Sequence, residues 1–355
     1  MPFTTYSARP TIRVNGQAYA LVSELALGFE MSEQEGGMSS LELRLGNIAS
    51  NTIQRADFAF EDDEILKLGA RIAVYAGDET NPTEIFQGII TSLEADFETD
   101  QRIELVVLAE DRFQQARLER HTITYNDTTI EDLAKNLAKQ LSLKPIVTGF
   151  RDSIGTQVQL NESDLAFMRR LLTRYNGDMQ VVGEELHLSP RSEVQRGILT
   201  LEMDSELRRV RATADLANQV NAVTVSGWDA ERGKRVNVRS KDLPSGAKQG
   251  RMGFELLRNA LTERTHHIAH LAVRNESEAQ ALADATFAAK ARRLIMVDGT
   301  AEGNPALRVG THVKLTGLGP RFSNTYYVTQ TLHRWDMERG YETDFEAECA
   351  FWGGK

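Results

Sequence analysis

Cysteine is nearly absent from this 355-residue chain, in which Cys349 is the single one. A lone cysteine excludes an internal disulfide and a cysteine-based zinc knuckle, and its strand-like surroundings, 343–351, are typical of a core thiol. No stretch of eighteen apolar residues occurs, so we expect no membrane insertion by this chain. The first ten residues lack the basic and apolar regions of a secretory signal, so we expect synthesis in the cytoplasm without a signal peptide.

The motifs of several common enzyme classes are missing as well. Gly-x-Ser-x-Gly, a Walker loop and Gly-x-Gly-x-x-Gly do not occur. The net charge of −10 argues against a specific nucleic-acid partner, because binding a phosphate backbone needs clustered cations. A pair of hydrolytic carboxylates stays open, since 51 acidic residues always offer pairs, but no pair stands out. We predict no catalytic residue, no cofactor and no enzyme activity.

Two clusters resemble metal sites only superficially. His266, His267 and His270 lie in a strand-like run, where neighbouring side chains point to opposite faces, and no His-Glu-x-x-His frame accompanies them. The acids at 61–64 lack the ligand spacing and central glycine of an EF-hand loop, which favours a solvated turn. We therefore predict no metal site.

The first 120 residues alternate apolar and polar positions with the period of a β-strand. Leu41, Leu43 and Leu45 alternate with charged residues, and Asn15-Gly16 is a strong signal for a two-residue hairpin turn. Further short strands are predicted at 68–77, 85–90 and 102–108. Several short strands at this spacing favour a small β-barrel.

A compact α/β unit is predicted between Thr122 and Leu188. Its first helix has a capping-box pair, Thr128 and Glu131, and ends before Lys144-Pro145. Its second helix is predicted to be capped by Asn161 and to stop at Asn176-Gly177, before a hairpin around Gly183-Glu184.

Strand and helix patterns also alternate after this unit. A strand is predicted at 220–228, an exposed loop at 229–255 and a strand at 265–273. Asn275 is then predicted to cap a helix that runs through Arg293 and has a narrow alanine-rich face. Small residues allow another element to approach closely, so Ala283 and Phe287 are candidate partner contacts.

The C-terminal part contains an echo of the N-terminal part. The segments 307–317, 326–332 and 341–351 parallel 66–77, 86–93 and 103–113 in pattern and spacing. We therefore predict a fold that is mainly β with α+β insertions, namely two similar small β-barrels plus an α/β domain and a helix-containing insertion. The predicted boundaries are 1–115 for the first barrel, 116–195 for the α/β domain, 196–230 with 298–355 for the second barrel, and 231–297 for the insertion.

Several motifs in order give the chain a family resemblance. They are Glu-Ser-Asp-x-x-Phe-Met-Arg-Arg-Leu at 162–171, Tyr-Asn-Gly at 175–177, Gly-Glu-Glu-Leu-His-Leu at 183–188, and the C-terminal pieces 303–310, 322–329 and 340–343. In this order the chain resembles the late control protein D family, the tail hubs of contractile phages. It is also similar to the hub part of VgrG-type spikes and of contractile injection systems.

The resemblance implies a structural role and a set of partners. Such hubs are homotrimers that join a hexameric inner-tube ring to a trimeric spike, with baseplate wedge proteins as further possible partners. VgrG-type proteins continue into a needle whereas this sequence stops at Lys355, so the expected spike is a separate protein. The expected location is the baseplate of a phage tail or of a contractile particle.

Two tyrosines are further candidates for partner contacts. Tyr326 and Tyr327 are neighbours on a predicted strand, and one of them is expected to point outward because neighbours on a strand alternate. The basic run at 208–211 is predicted to form structural ion pairs with neighbouring acids, with an acidic partner or genome-like cargo as the alternative. Two other functions stay open, a tail-associated peptidoglycan hydrolase and a glycan-binding tail module that uses Tyr326 or Trp335.

Overall fold

One long open sheet dominates the computed structural model, which describes residues 9–50, 56–61, 63–78, 80–97, 103–230, 232–241, 250–269 and 272–353. Strands hold 48% of the chain and helices 21%, so the prediction of a mainly β fold is confirmed. Thirteen strands form the long sheet, and the pairings among the described residues close no barrel.

Alternating side chains build the first part of this sheet. In β4 the leucines at positions 41, 43 and 45 are buried and the residues between them are exposed. Asn15 and Gly16 have φ values of +49° and +82°, so the predicted hairpin turn between β1 and β2 is confirmed. The elements are β1 Thr11–Val14, β2 Gln17–Ala18, α1 Ala20–Leu25, β3 Ala26–Gln34, β4 Ser40–Gly46, β5 Ile48–Ser50, β6 Ala56–Phe58, β7 Arg71–Ala76, β8 Thr83–Asp96, β9 Glu104–Glu110 and α2 Phe113–Leu118.

The predicted α/β unit follows with its own hydrophobic core. Asn176 has a left-handed φ of +53° and ends the second helix where the sequence predicts it, and the hairpin around Gly183 is also confirmed. The elements are β10 Arg120–Tyr125, α3 Ile130–Gln140, β11 Lys144–Val147, β12 Gln157–Ser163, α4 Asp164–Tyr175, β13 Gly177–Val182 and β14 Glu185–Pro190.

The N-caps of these two helices differ from the prediction. Thr129 rather than Thr128 caps α3, and Ser163 rather than Asn161 caps α4. An N-cap needs an extended backbone, which Thr129 and Ser163 have, whereas Asn161 has a left-handed φ of +49°. Helix α3 also ends at Gln140, and Lys144–Val147 is already the next strand.

The remaining elements complete the long sheet and build a second layer beside it. The side chain of Asn275 caps α6, as the sequence predicts, by accepting from the Glu278 amide at 2.9 Å. The elements are β15 Ile198–Glu202, β16 Leu207–Ala214, β17 Ala222–Asp229, β18 Lys234–Arg239, β19 Arg251–Met252, α5 Gly253–Ala260, β20 Thr265–Ile268, α6 Glu276–Arg292, β21 Ile295–Glu302, β22 His312–Thr316, α7 Gly319–Phe322, β23 Asn324–Asp336, β24 Gly340–Cys349 and β25 Phe351–Trp352.

Strands β17, β18 and β20 form a separate sheet against which α6 packs. The predicted strand at 220–228 thus pairs outside the long sheet. The predicted loop at 229–255 contains β18, which pairs with β17, so that prediction is wrong for Lys234–Arg239. Residues 242–249 of the same segment lie outside the described residues.

The long sheet consists of two halves with the same strand order. The order β1-β7-β8-β9-β4-β3 in the first half corresponds to β15-β22-β23-β24-β21-β16 in the second. Each half has its own hydrophobic core. The halves differ at one end, where β1 pairs with β7 antiparallel and β15 pairs with β22 parallel.

The correspondence extends to single hydrogen bonds. Gly69 and Gly310 have left-handed φ values of +83° and +87°, which glycine tolerates. The Gly69 amide donates to the Ile90 carbonyl at 2.8 Å, and the Gly310 amide donates to the Val328 carbonyl at 3.0 Å. A bulge follows Ile90 in β8 and Val328 in β23. Ile90 therefore corresponds to Val328, and the echo read from the sequence is present in the strand pairing.

Candidate functional site

The two halves are joined by β23, which is long enough to serve both. Its first part pairs with β22, and its second part pairs on the same side with β3 of the other half. In this junction Arg334 lies opposite Glu30 and Trp335 lies opposite Phe29. Trp335 is 3% exposed and packs into the core of the first half, so the halves share backbone hydrogen bonds and apolar packing.

A buried ion pair lies in this junction. The Arg308 guanidinium donates to both carboxylate oxygens of Glu33, and Thr331 donates to one of them at 3.3 Å. Burial is the largest single influence and would raise the pKa of Glu33, but the charge and hydrogen bonds of Arg308, together with His333 and the Val309 amide, hold the pKa below its usual range. Burial, together with Arg308, lowers the pKa of His333 to about 3, so this histidine is neutral at pH 7.

Sequence reasoning missed this pair, although the strand pattern contained a signal for it. Glu33 follows Phe29 and Met31 at alternate positions of β3 and thus lies on their buried face. A charged residue at such a position needs a buried partner. Arg308 cannot be identified from the strand pattern, because it is 275 positions away in the sequence.

A second group of charges ties the α/β unit to the long sheet. Arg191, which is 6% exposed, pairs with Glu35 and, at 2.9 Å, with Glu348. Its guanidinium also lies over the ring of Tyr327. Arg292 of α6 reaches the same Glu348 at 2.9 Å, so three parts of the chain meet here.

Besides β2 and β15, which each pair with one strand, two further strand sides stay open within the described ranges. Beyond β7, the side of Ser92–Asp96 that faces away from β9 pairs with no strand in the described ranges. Strand β16 pairs with β21 on one side and, within the same ranges, with no strand on the other. Unpaired strand edges are templates for pairing with another chain. We call them the β8 edge (Ser92–Asp96) and the β16 edge (Leu207–Ala214).

The four predicted partner-contact residues are all buried within the chain. Tyr326 is 0% exposed and Tyr327 is 6% exposed, so the prediction that one of them points outward is wrong. Val328 follows them and is buried as well, because both faces of β23 are covered here. Burial raises the pKa of both tyrosines above the usual range. Ala283 and Phe287 lie in the core between α6 and β17.

Contact of these four residues with a partner stays a prediction, and their burial makes a direct contact difficult. Side chains packed in the interior of the chain act on a partner only through the elements they hold in place. The alanine-rich face of α6 does allow a close approach, and the elements that use it belong to this chain.

The basic run at 208–211 has mixed surroundings. Arg208 pairs with Glu342, and at 3.9 Å with Glu302, so the predicted structural ion pairs are confirmed for this residue. Arg209 and Arg211 are exposed on the β16 edge. Neither has an ion-pair partner in the part of the chain that the structure describes.

Chemistry at the predicted clusters is limited. His266 and His267 are exposed in β20, and the Nδ1 atom of His267 lies 2.5 Å from the Thr224 hydroxyl. Among the described residues no three His, Cys, Asp or Glu side chains are grouped as metal ligands. His270 and Asp62 lie outside those residues.

Burial raises the pKa of three carboxyls, those of Asp111, Asp178 and Glu348, and the last two are paired with arginines. Burial raises the pKa of Asp111 to about 7, against the opposing effect of hydrogen bonds from the chain. Its two oxygens accept from the backbone amides of Ser39 at 2.6 Å and of Phe113 at 2.8 Å. Asp111 thus holds the start of α2 against β4, which is a structural use of both oxygens.

None of the helices in the described ranges has the length and apolarity needed to cross a bilayer.

The family model described as "Alg8 N-terminal domain" matches residues 45–336, which is most of the chain. The description names a domain and no reaction. None of the curated proteins matches the chain.

Solved structures resemble the chain over nearly its whole length. The 43 kDa tail protein of prophage MuSo2 from Shewanella oneidensis has 13% identity and a TM-score of 0.71, covering 96% of this chain and 97% of that one. The tail protein from Neisseria meningitidis MC58 has 13% identity and a TM-score of 0.67, covering 96% of both chains. The E. coli c3393 protein, described as a component of the type VI secretion system, has 14% identity and a TM-score of 0.59, covering 97% of this chain and 79% of that one.

These likenesses concern the fold. The chain has the fold of phage tail proteins and of a type VI secretion component that is itself described as similar to the bacteriophage T4 tail proteins gp27 and gp5. The resemblance drawn from the sequence motifs is confirmed at this level.

Proposed function

Since the chain belongs to the family described as the Alg8 N-terminal domain and has the fold of phage tail proteins, we propose that it is a structural baseplate hub of a contractile tail or injection system. In this role it is a homotrimer that joins a hexameric inner-tube ring to a separate trimeric spike. Baseplate wedge proteins are further partners, and the trimer is incorporated into the particle. The chain acts mechanically and not as an enzyme.

The equal strand order of the two sheet halves carries this proposal. One chain presents two similar units, so three chains related by a threefold axis present six. Six similar units match a sixfold tube ring, while the single α/β unit of each chain keeps threefold symmetry. We also propose the domain division into 1–115, 116–195, 196–230 with 298–355, and 231–297, together with the two-barrel description. Strand β17 falls within 196–230 in this division, while its partner strands β18 and β20 belong to 231–297.

Electron microscopy of the purified chain tests this arrangement. We expect class averages of a closed ring with threefold symmetry and six similar densities around a central opening. Adding the tube protein encoded by the same genome is expected to stack its ring on one side only. Particles with twofold symmetry, or rings of six complete chains, would contradict the proposal.

The two alternative functions, a glycan-binding tail module and a peptidoglycan hydrolase, are less well supported. The glycan-binding module depended on Tyr326 or Trp335 at the surface, and these are 0% and 3% exposed. The peptidoglycan hydrolase needs a carboxyl free to donate a proton, and the oxygens of Asp111 are held by backbone amides. We expect the purified chain to leave a cell-wall zymogram uncleared, and clearing that is lost in Asp111→Asn would favour the hydrolase.

A further inference from the structure

The junction between the two sheet halves uses one strand from each half, and each half also contains the counterpart of the strand that the other half supplies. In the second half, the end of β23 pairs with β3 of the first half. The strand order makes β8 the counterpart of β23, and β16 the counterpart of β3. The β8 edge and the β16 edge are therefore the same two surfaces that the intrachain junction joins, and both lack a partner strand within the described ranges.

The hydrogen-bond registers show which residues correspond. Ile90 corresponds to Val328, and the bulges that follow them make Ser92 the counterpart of Gln330. For the other edge, Met31 of β3 corresponds to Ala212 of β16. Met31 pairs with a residue of β4 that in turn pairs with β9, and Ala212 pairs with a residue of β21 that in turn pairs with β24. These two chains of pairing end at equivalent positions of β9 and β24. Bulges at Ala26–Gly28 in β3 and Leu207–Arg209 in β16 fall at the same place in this alignment.

We propose that the β8 edge of one copy pairs antiparallel with the β16 edge of a second copy of this chain. Transferring the intrachain register, in which His333 lies opposite Met31, places Ala95 opposite Ala212. Glu94 then lies opposite Thr213, and Asp96 opposite Arg211. The pairing rests on the homotrimer of the proposed function, and it specifies the surfaces through which the copies join.

Side chains on one face of this pairing are apolar on both strands. Leu93, Ala95 and Phe97 alternate along β8 and its end, and Phe97 is 61% exposed. They would meet Val210 and Ala212 of β16 on the same face. An exposed apolar side chain beside an open strand edge is a poor arrangement for a free monomer and a good one for a buried sheet.

The opposite face is complementary in charge. The β8 edge carries Glu94 and Asp96 in the sequence, and the β16 edge presents the exposed Arg211 and Arg209. Opposite charges facing each other across an antiparallel pair are stabilising, whereas like charges are destabilising.

The charges also discourage the wrong pairing. In the intrachain junction the arginine lies on β23, as Arg334, and the acid lies on β3, as Glu30. Between copies the acids lie on β8 and the arginines on β16. Exchanging partners would place Asp96 beside Glu30 and Arg334 beside Arg211, so each edge repels the other's partner.

Each copy has one edge of each kind, so the contact is head-to-tail. A head-to-tail contact produces a closed ring when its rotation closes, and a filament otherwise. With the intrachain junction repeated between copies, the sheet would continue around a ring of three chains through six similar junctions.

Engineered cysteines test the pairing and its register. The variant Ala95→Cys/Ala212→Cys places two thiols directly opposite each other across the proposed pair, at a separation that a disulfide can bridge. We expect oxidation to give covalent trimers on a non-reducing gel. The matched control, Ala95→Cys/Thr213→Cys, places the thiols on opposite faces and is expected to give at least tenfold less product. The native Cys349 is buried and present in both.

Light scattering on the same samples separates this proposal from the proposed function. A trimer that forms no disulfide, or one that links equally in both variants, would overturn the strand pairing and leave the homotrimer standing. Covalent chains longer than three copies would support the pairing and contradict the trimer. A chain that stays monomeric and unlinked contradicts both.

Reversing charges provides an independent check. Arg211→Glu faces Asp96 with a like charge, and we expect the dissociation constant of the assembly to rise at least tenfold with an unchanged circular dichroism spectrum. Asp96→Arg/Arg211→Glu restores opposite charges and is expected to recover most of the loss. Equal assembly by all three proteins would overturn the charge argument and the register with it.

Discussion

His333 is a fully buried histidine that stays neutral in the folded chain. The Tyr341 hydroxyl lies 2.7 Å from its Nδ1 atom, and Thr343 lies 3.2 Å from the same atom. Burial lowers its pKa to about 3 from the ordinary 6.5. An unfolded chain takes up a proton near pH 6.5 and the folded chain does not, so stability present above pH 6.5 is lost as the pH falls toward 3.

This leads to a prediction on pH dependence. We expect His333→Asn to be less stable than the native chain at pH 8, but to lose less stability between pH 6 and pH 4.5. The native slope from one such group is about 1.4 kcal/mol per pH unit. Urea unfolding at a series of pH values measures both quantities. The exposed His267 serves as the control, and a His333→Asn slope equal to that of His267→Asn would contradict the account.

Glu33 and Arg308 lead to a prediction on the buried ion pair. Arg308→Met leaves the Glu33 carboxylate buried without its partner, and we expect a loss of about 3–5 kcal/mol in the free energy of unfolding. Glu33→Gln/Arg308→Met removes both charges and should be more stable than Arg308→Met alone. Urea unfolding at pH 7 measures the cycle. Additive losses would mean that the two groups do not act as a pair.

The pair also adds to the response at low pH. Because the folded pKa of Glu33 lies below its usual value, its contribution is present above about pH 4.5 and is lost as the pH falls further. The window above pH 4.5 therefore avoids the titration of Glu33. Asp111, with its pKa raised to about 7, contributes there with the opposite sign in the native chain and in His333→Asn alike, so the difference between their two slopes reports His333.

At the level of single residues, local signals were readable and distant ones were not. Asn15, Asn176 and Asn275 are correctly predicted, because turns and caps depend on a few neighbouring residues. Thr128 and Thr129 cannot be told apart by chemistry, since the backbone conformation decides which one caps. The buried partners Glu33 and Arg308 depend on the tertiary fold.

Helix α6 has its apolar face buried within the chain, so a substitution on this face tests folding as well as assembly. It packs between the sheet of β17, β18 and β20 on one side and α4 on the other. Near its start, Glu278 is 4% exposed and pairs with Arg174 of α4 at 2.5 Å. The helix therefore holds the second layer to the α/β unit.

A charge inside this packing should affect folding before it affects assembly. We expect Ala283→Asp to destabilise the chain by about 3 kcal/mol or more, because an unpaired charge is buried. Ala281→Asp on the partly exposed side of the same helix is the matched control and should cost well under half as much. Thermal unfolding followed by circular dichroism compares them. Native melting of Ala283→Asp with lost assembly would instead support a direct partner contact at this position.

At the level of elements, the sequence pattern predicted whether a segment is a helix or a strand better than it predicted where the element ends or which strand it pairs with. The alternating strands and both long helices of the α/β unit are present, with shifts of a few residues. The strand Ala222–Asp229 is real, yet it pairs with β18 and β20 rather than with the long sheet. Alternation states which face of a strand is buried and leaves its neighbours undetermined.

The whole molecule is organised by the repetition of one six-strand order. The echo between 66–77 and 307–317 was visible in the sequence because the turn glycines and the spacing of strands repeat. The continuous sheet was not visible, since the pairing of β3 with β23 joins segments about 300 positions apart. The described residues form an open sheet in which the β8 edge and the β16 edge have no partner strand.

The most direct test of the hub account is the mass of the purified full-length chain in solution, measured by light scattering over a range of concentrations. One chain has a mass of 39.7 kDa, and we expect a homotrimer of three times that mass, about 119 kDa. A stable dimer near twice the chain mass, or a monomer that persists at the highest concentration, would contradict it.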